Sequence, residues 1–156
     1  MGPAQQSGQT HVLSDEWTPL GLHRWRFTPP ILWIDLHGEF LERDFDEYIG
    51  TYSKIFAANP NIGLIANTAQ MKGTSPEVRR RIPVEIPNNG PSIPIALLGA
   101  TLAVRTLITL VANGQRLLFR RELPIAFFSD EKAAQAWVLQ RIAERSRSQG
   151  SLSASR

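Results

Sequence analysis

His11, His23 and His37 are the only histidines and there is no cysteine, so the chain has no thiol nucleophile and no thiolate metal ligand. A nucleophilic relay needs an imidazole beside a hydroxyl. His11 lies in a polar N-terminal stretch, His23 opens a short alternating run, and His37 ends a second apolar run. His37 stands between Asp35 and Glu39, and a spacing of two on a strand puts these side chains on one face, as a metal or an acid–base pair would require. A polar stripe at a strand end has the same spacing, and that is the reading adopted. The chain also lacks a phosphate-binding Gly-rich loop, an HExxH helix and a dinucleotide fingerprint. No catalytic residue, metal ligand or cofactor is assigned.

Anion recognition has better material. The polar stretch Asn67-Thr68-Ala69-Gln70-Met71-Lys72-Gly73-Thr74 leads into Ser75-Pro76-Glu77-Val78, where Ser75 suits an N-cap and Pro76 the first helical position. Free N–H groups and the dipole at a helix start favour a negative charge there, phosphate included. Arg79 falls one turn into that helix and Arg105 one turn into the next. Open α/β sheets bind ligands at the carboxyl ends of their strands. Asn67, Thr68, Thr74, Ser75, Arg79 and Arg105 are therefore the candidate partner- or ligand-binding edge. The alternatives are that Ser75 is a plain cap and that the arginines pair with carboxylates such as Glu77 or Glu85, or are simply solvated.

The elements that would position these groups follow from apolar periodicity. His23 to Phe27 alternates and Ile31 to His37 follows after Thr28-Pro29-Pro30, which predicts a hairpin. From Glu39 to Asn59 the residues Leu41, Phe45, Tyr48, Ile49, Tyr52, Ile55 and Phe56 recur every three or four positions and predict a helix ended by Asn59-Pro60. Ile62 to Ala66 is a short buried strand, and the stretch from Asn67 to Thr74 is read as a loop. Pro83 and Pro87 limit the second helix to Pro76 through about Ile82, with irregular chain to Pro91. Ile93 to Gly99, Thr101 to Leu118, Leu123 to Phe128 and the segment opened by Ser129-Asp130-Glu131 read as strand, helix, strand, helix. In that last segment Trp137 is placed to pack back on Phe127 and Phe128.

With 156 residues, 42% of them hydrophobic, one domain is expected: an α/β fold of order ββαβαβαβα with about five strands, mostly parallel, and about four helices. Residues 1–20 and 146–156 are Ser-, Gly- and Gln-rich and read as disordered tails around a domain at 21–145.

The third helix has more apolar surface than one sheet contact needs. Val104, Leu107, Ile108, Val111 and Leu118 form one stripe, and Leu102, Leu110 and Leu117 a second. The second stripe is open to burial within the monomer, a homodimer, a protein partner or an apolar ligand. Charge is uneven: Asp35, Glu39, Glu42, Asp44, Asp46 and Glu47 face only Arg43, whereas the stretch from Gln70 to Arg121 has eight bases against Glu77 and Glu85. Basic positions are not interleaved with aromatics expected at the surface, so nucleic acid is not a favoured partner. No apolar run spans a membrane and no basic-then-apolar start marks secretion, which leads to the expectation of a soluble cytoplasmic protein.

The order of these elements resembles the STAS fold, named for sulphate transporters and anti-sigma-factor antagonists, and in particular its SpoIIAA-like bacterial branch. The resemblance is carried by Leu36-His37-Gly38-Glu39, by Ile62 to Thr68 followed by Ser75 to Arg80, by Ile95 to Gly99, by Val104 to Leu107, and by Phe127-Phe128 with Ala133, Ala136 and Trp137. It implies a non-enzymatic regulatory or interaction module that binds a protein partner through the second and third helices. The serine switch of that family follows Asp-Ser-Ser-Gly, which is absent here; Thr74 and Ser75 hold the comparable junction. The branch is also similar to a lipid-carrying α/β fold. That implies the alternative, a carrier of a small apolar or anionic, lipid-like ligand beside the third helix.

Overall fold

The computed structural model describes residues 16–88, 93–120 and 124–154. Its strands are β1 (Thr18–Leu20), β2 (His23–Thr28), β3 (Ile31–Phe40), β4 (Gly63–Thr74), β5 (Ile95–Leu98) and β6 (Ile125–Phe128). The helices are α1 (Glu42–Ala58), α2 (Pro76–Asn88), α3 (Leu102–Phe119) and α4 (Glu131–Ala154). The strands form one sheet in chain order, with β1, β2 and β3 antiparallel and β3 through β6 parallel.

Because each crossover from β3 to β6 steps in the same direction and is right-handed, α1, α2 and α3 all fall on one face. Only α4, after the last strand, turns back onto the other. Two separate cores follow from the alternation of strand side chains. Leu32, Ile34, Leu64, Ala66 and Leu97 join Phe45, Tyr52 and Ile55 on one side. On the other, Ile31, Trp33, Ile65 and Ala96 meet Ala134, Val138 and Ile142, one α4 stripe at spacing four. Gly63 is needed there: a Cβ would sit 2.3 Å from Val138 Cγ1.

Four expectations need correction. The chain expected to be tail through residue 20 enters the sheet at Thr18, whose strand pairs antiparallel with β2 and adds the sixth strand; positions 1–15 lie outside the described residues. The segment expected as tail from 146 continues α4 to Ala154. The helix expected to stop near Ile82 runs to Asn88. A proline inside a helix removes one donor but leaves its neighbours' bonds, and Arg81 pairs with Glu85 across the turn that Pro83 interrupts. Last, the stretch read as a loop is strand, because β4 continues to Thr74 against the second half of β3, through register shifts between Asp35 and His37 and between Gly38 and Glu39. Its polarity has a simple cause. Past Asn67 it has no pairing with β5, and Ala69, Gln70 and Lys72 are exposed.

Candidate functional site

Between the sheet and α3 lies a cavity of about 150 Å³. Its floor is every second residue of the central strands: Ile34 from β3, Leu64, Ala66 and Thr68 from β4, Ile95 and Leu97 from β5. Phe45 and Tyr48 of α1, Ile82 of α2, and Val104, Leu107, Ile108 and Val111 of α3 form the remaining wall. The α3 side of this wall is the first stripe seen in the sequence. Only Val104 of the four is buried; Leu107, Ile108 and Val111 are partly exposed, so the helix is seated at its N-terminal end and stands off the sheet further on. Thr101 caps that end, with Oγ1 accepting from the Val104 N–H at 3.3 Å. Loss of water around the phenol pushes the Tyr48 pKa well above the usual tyrosine range, and burial raises that of Tyr52 as well.

Two polar atoms of the cavity wall differ in their bonding. Thr68 Oγ1 donates to the Leu98 carbonyl at 2.9 Å and so ties β4 to the end of β5. Thr74 Oγ1 is buried and has no partner among the described residues. An unsatisfied buried hydroxyl costs about 1–3 kcal/mol, and a ligand with one hydrogen-bonding group would recover it.

The candidate edge residues do not all converge. Thr68 and Thr74 face the cavity. Asn67 faces the opposite side of the sheet, beside Trp33 and Leu98, and its Oδ1 accepts from the Ala69 N–H at 3.1 Å. Ser75 is an N-cap, with Oγ accepting from the Val78 N–H at 3.2 Å. Arg79 is exposed on α2, while Arg105 lies over the Phe127 ring at 5.0 Å and donates from Nε to the Ala100 carbonyl at 3.3 Å. The carboxylates considered for these arginines go elsewhere: Glu77 pairs with Arg80, and Glu85 with Arg81, which also reaches Asp46 at 2.6 Å. The Arg81 bond holds the Glu85 carboxyl below its usual range.

Within the Asp35–His37–Glu39 stripe, Asp35 and His37 make structural contacts and Glu39 is exposed. Asp35 accepts from Arg24 at 2.7 Å, and the His37 N–H donates to His23 Nδ1 at 2.9 Å. His23 Nδ1 is thus an acceptor, which puts the ring hydrogen on Nε2, 3.3 Å from Asp44 Oδ2. Asp44 also accepts the Leu41 N–H at 3.0 Å and so holds the first turn of α1. Gly21, at φ 60°, admits this carboxylate: a Cβ would stand 2.2 Å from Asp44 Oδ1. The His23–Asp44 pair was not legible in the sequence, since the two are far apart in the chain and neither sits in a motif. Among the described residues no group of three or more His, Asp or Glu is placed to hold a metal ion.

Leu102, Leu110 and Leu117 are 80%, 64% and 77% exposed, so the second α3 stripe is not buried within the monomer. No described helix is long and apolar enough to cross a membrane.

No family model matches the chain, and no curated protein does. Solved structures do. A protein of the DUF3478 family with a SpoIIAA-like fold from Shewanella loihica is 14% identical, with a TM-score of 0.50 over 73% of this chain and 90% of that one. The anti-sigma factor antagonist SpoIIAA in its unphosphorylated form is 13% identical, with a TM-score of 0.46 over 73% of this chain and 96% of that one. The chain has the SpoIIAA-like, STAS-type fold.

Proposed function

We propose that this chain is a non-enzymatic regulatory module that works by docking a protein partner on α3 and the adjoining part of α2. The observation that carries the reading is the exposed row Leu102, Leu110 and Leu117, on a helix with no acidic residue and with Arg105 and Arg116 exposed. On α2, Val84 is 53% exposed and Arg79 is exposed as well. Large apolar side chains rimmed by one sign of charge suit a partner with an apolar ridge and acidic flanks. The SpoIIAA-like fold supports the class of function, and the surface is this chain's own.

A photo-crosslinking residue in place of Leu110 tests it in cells. A single crosslinked protein, lost when Leu102→Glu and Leu117→Glu are added with the melting temperature unchanged, is the expected result. A crosslink to a second copy of this chain would replace the partner by a homodimer. Absence of any crosslink would end the reading.

The cavity favours a second reading, a carrier of a small apolar ligand. The cavity lining is almost wholly apolar, so a fitting ligand would take that surface out of water. Thr74 Oγ1 would take one polar group of that ligand. Native mass spectrometry of the purified protein would show an added mass, released by organic extraction, if this reading holds.

A further inference from the structure

The opposite face of the sheet carries a second candidate site, remote from α3. α4 packs on Ile31, Trp33, Ile65 and Ala96, and its Glu131, Gln135 and Leu139 flank the outward side chains of β2 without closing over them. Arg24 and Arg26 share that face of β2, at alternate positions. Trp17, just before β1, lies against both: its ring is 4.3 Å from the Arg24 guanidinium carbon and 4.8 Å from that of Arg26. Arg26 is also 5.1 Å from the Trp33 ring, so its guanidinium is held between two indoles. The two arginines differ in charge balance. Arg24 is neutralised by Asp35, through Nε at 2.9 Å and Nη2 at 2.7 Å. Arg26 has no carboxylate within ion-pair distance among the described residues, and its Nε is buried without an acceptor.

These groups line a pocket of about 240 Å³, with Ile65 and Leu98 as an apolar floor, the Asn67 side chain beside them and Glu131 of α4 at an exposed margin. A guanidinium fixed by stacking presents its donors in a rigid fork matched to an oxyanion. The apolar floor adds room for a small body attached to it. We propose that this pocket binds a small molecule bearing a carboxylate or phosphate, with the oxyanion on Arg26 and the body against Ile65 and Leu98. An oxyanion on Arg26 lies beside the Trp17 and Trp33 rings that line the pocket, so binding changes tryptophan emission.

Inorganic phosphate, acetate and benzoate are titrated against the full chain, followed by tryptophan fluorescence and by ligand-observed NMR. A saturable response is expected for at least one of the three. Phosphate ahead of both carboxylates assigns a phosphate ligand, and benzoate about tenfold or more ahead of acetate assigns a carboxylate on an apolar body. Arg26→Gln abolishes the response and Arg26→Lys weakens it about tenfold or more, because the fork is lost while the charge remains. Lys54→Gln, exposed on α1 on the other face, leaves it unchanged. Glu131→Gln tests the same site without touching the stack: removing the nearby carboxylate tightens binding about two- to fivefold. No saturable response to any of the three, or weaker binding in Glu131→Gln, overturns the proposal.

Discussion

On one face of the sheet, α4 lays Ala134, Val138 and Ile142 directly on Ile31, Ile65 and Ala96, with Ala96, Ala134 and Val138 fully buried. On the other, α3 stands over Ile34, Ala66 and Leu97 with a cavity of about 150 Å³ between them and its second leucine row in solvent. The more apolar of the two helices, α3, is the one that packs less closely. The difference lies in side-chain size at the crossing point. Small residues, Ala96, Ala134 and Gly63, let α4 approach until its backbone is near the strands. The branched residues Val104, Ile108 and Val111 hold α3 away, and the single small residue beneath it, Ala66, leaves a gap. Where α4 crosses the strands its face is closed, and room is left only toward the β2–β3 margin, where the oxyanion pocket is proposed. The α3 face keeps room and surface along the helix itself, and the proposed partner or apolar ligand is placed there.

The largest effect that would break this contrast comes from matched truncations. Ile65→Ala, at a residue 1% exposed that packs in the α4 core, should cost about 2–5 kcal/mol, the range for deleting a buried aliphatic. Ile108→Ala, on α3 facing the void, should cost under about 1 kcal/mol, because the deleted atoms already lack neighbours on one side. Denaturant melts measure both. Equal losses would mean that α3 is packed as tightly as α4.

The reverse substitution gives a smaller and opposite pair. Ala134→Val adds bulk where none fits and should cost about 1–3 kcal/mol. Ala66→Val adds two carbons at the floor of the cavity and should leave stability unchanged or raise it by up to about 1 kcal/mol. Destabilisation by Ala66→Val comparable to that of Ala134→Val would show that the cavity is closed in solution.

Both faces were legible in the sequence, but unequally. The strand and helix order was readable because parallel strands under helices leave continuous apolar runs, as at Ile95–Leu98 and Ile125–Phe128. The surplus leucines of α3 were readable because Leu102, Leu110 and Leu117 could not share a face with Val104 and Ile108. What failed was local rules overridden by pairing. The polar residues after Asn67 read as loop, yet β3 supplied a ladder for them. Pro83 and Pro87 read as breakers, yet α2 bridges them. The site residues were chosen as one edge, but alternation sends Asn67 to one face of the sheet and Thr68 to the other, which the reading of this stretch as a loop concealed. Trp17 was placed in a tail, and its arginine neighbours therefore went unnoticed.

Whether the cavity excludes water is sharpened by the two tyrosines of the chain, both on α1. Burial raises the pKa of Tyr48 and of Tyr52 above that of a free phenol, near 10. A raised folded-state pKa means that the folded form holds its proton more tightly than the unfolded chain. The resulting stability is present below about pH 10 and is lost as pH rises beyond it. Tyrosinate absorbance should therefore appear above the normal range, in step with loss of circular dichroism. A free titration of Tyr48 near pH 10 in a folded protein, assigned with Tyr52→Phe, would show a wet cavity and weaken the apolar-ligand reading.

The smallest effect concerns what holds α1 and α2 together on the looser face. Arg81 pairs with Glu85 on its own helix, reaches Asp46 on α1 at 2.6 Å, and lies 4.8 Å from the Phe45 ring that walls the cavity. The Arg81 bond lowers the Glu85 pKa, so the folded form releases that proton more readily than the unfolded chain does. Stability from this pair is present above about pH 4.3, the unfolded value, and is lost as pH falls through the lower folded value. The groups are partly solvated, so the effect is small and salt weakens it. Melting temperatures of the wild type and Glu85→Gln should differ modestly at neutral pH and converge below about pH 4, while the Ile65→Ala deficit stays constant across the same range because no proton is involved. A Glu85→Gln difference that persists unchanged into acid would mean that the carboxylate acts through packing alone, and that the α1–α2 contact on the looser face is apolar like the one beneath α4.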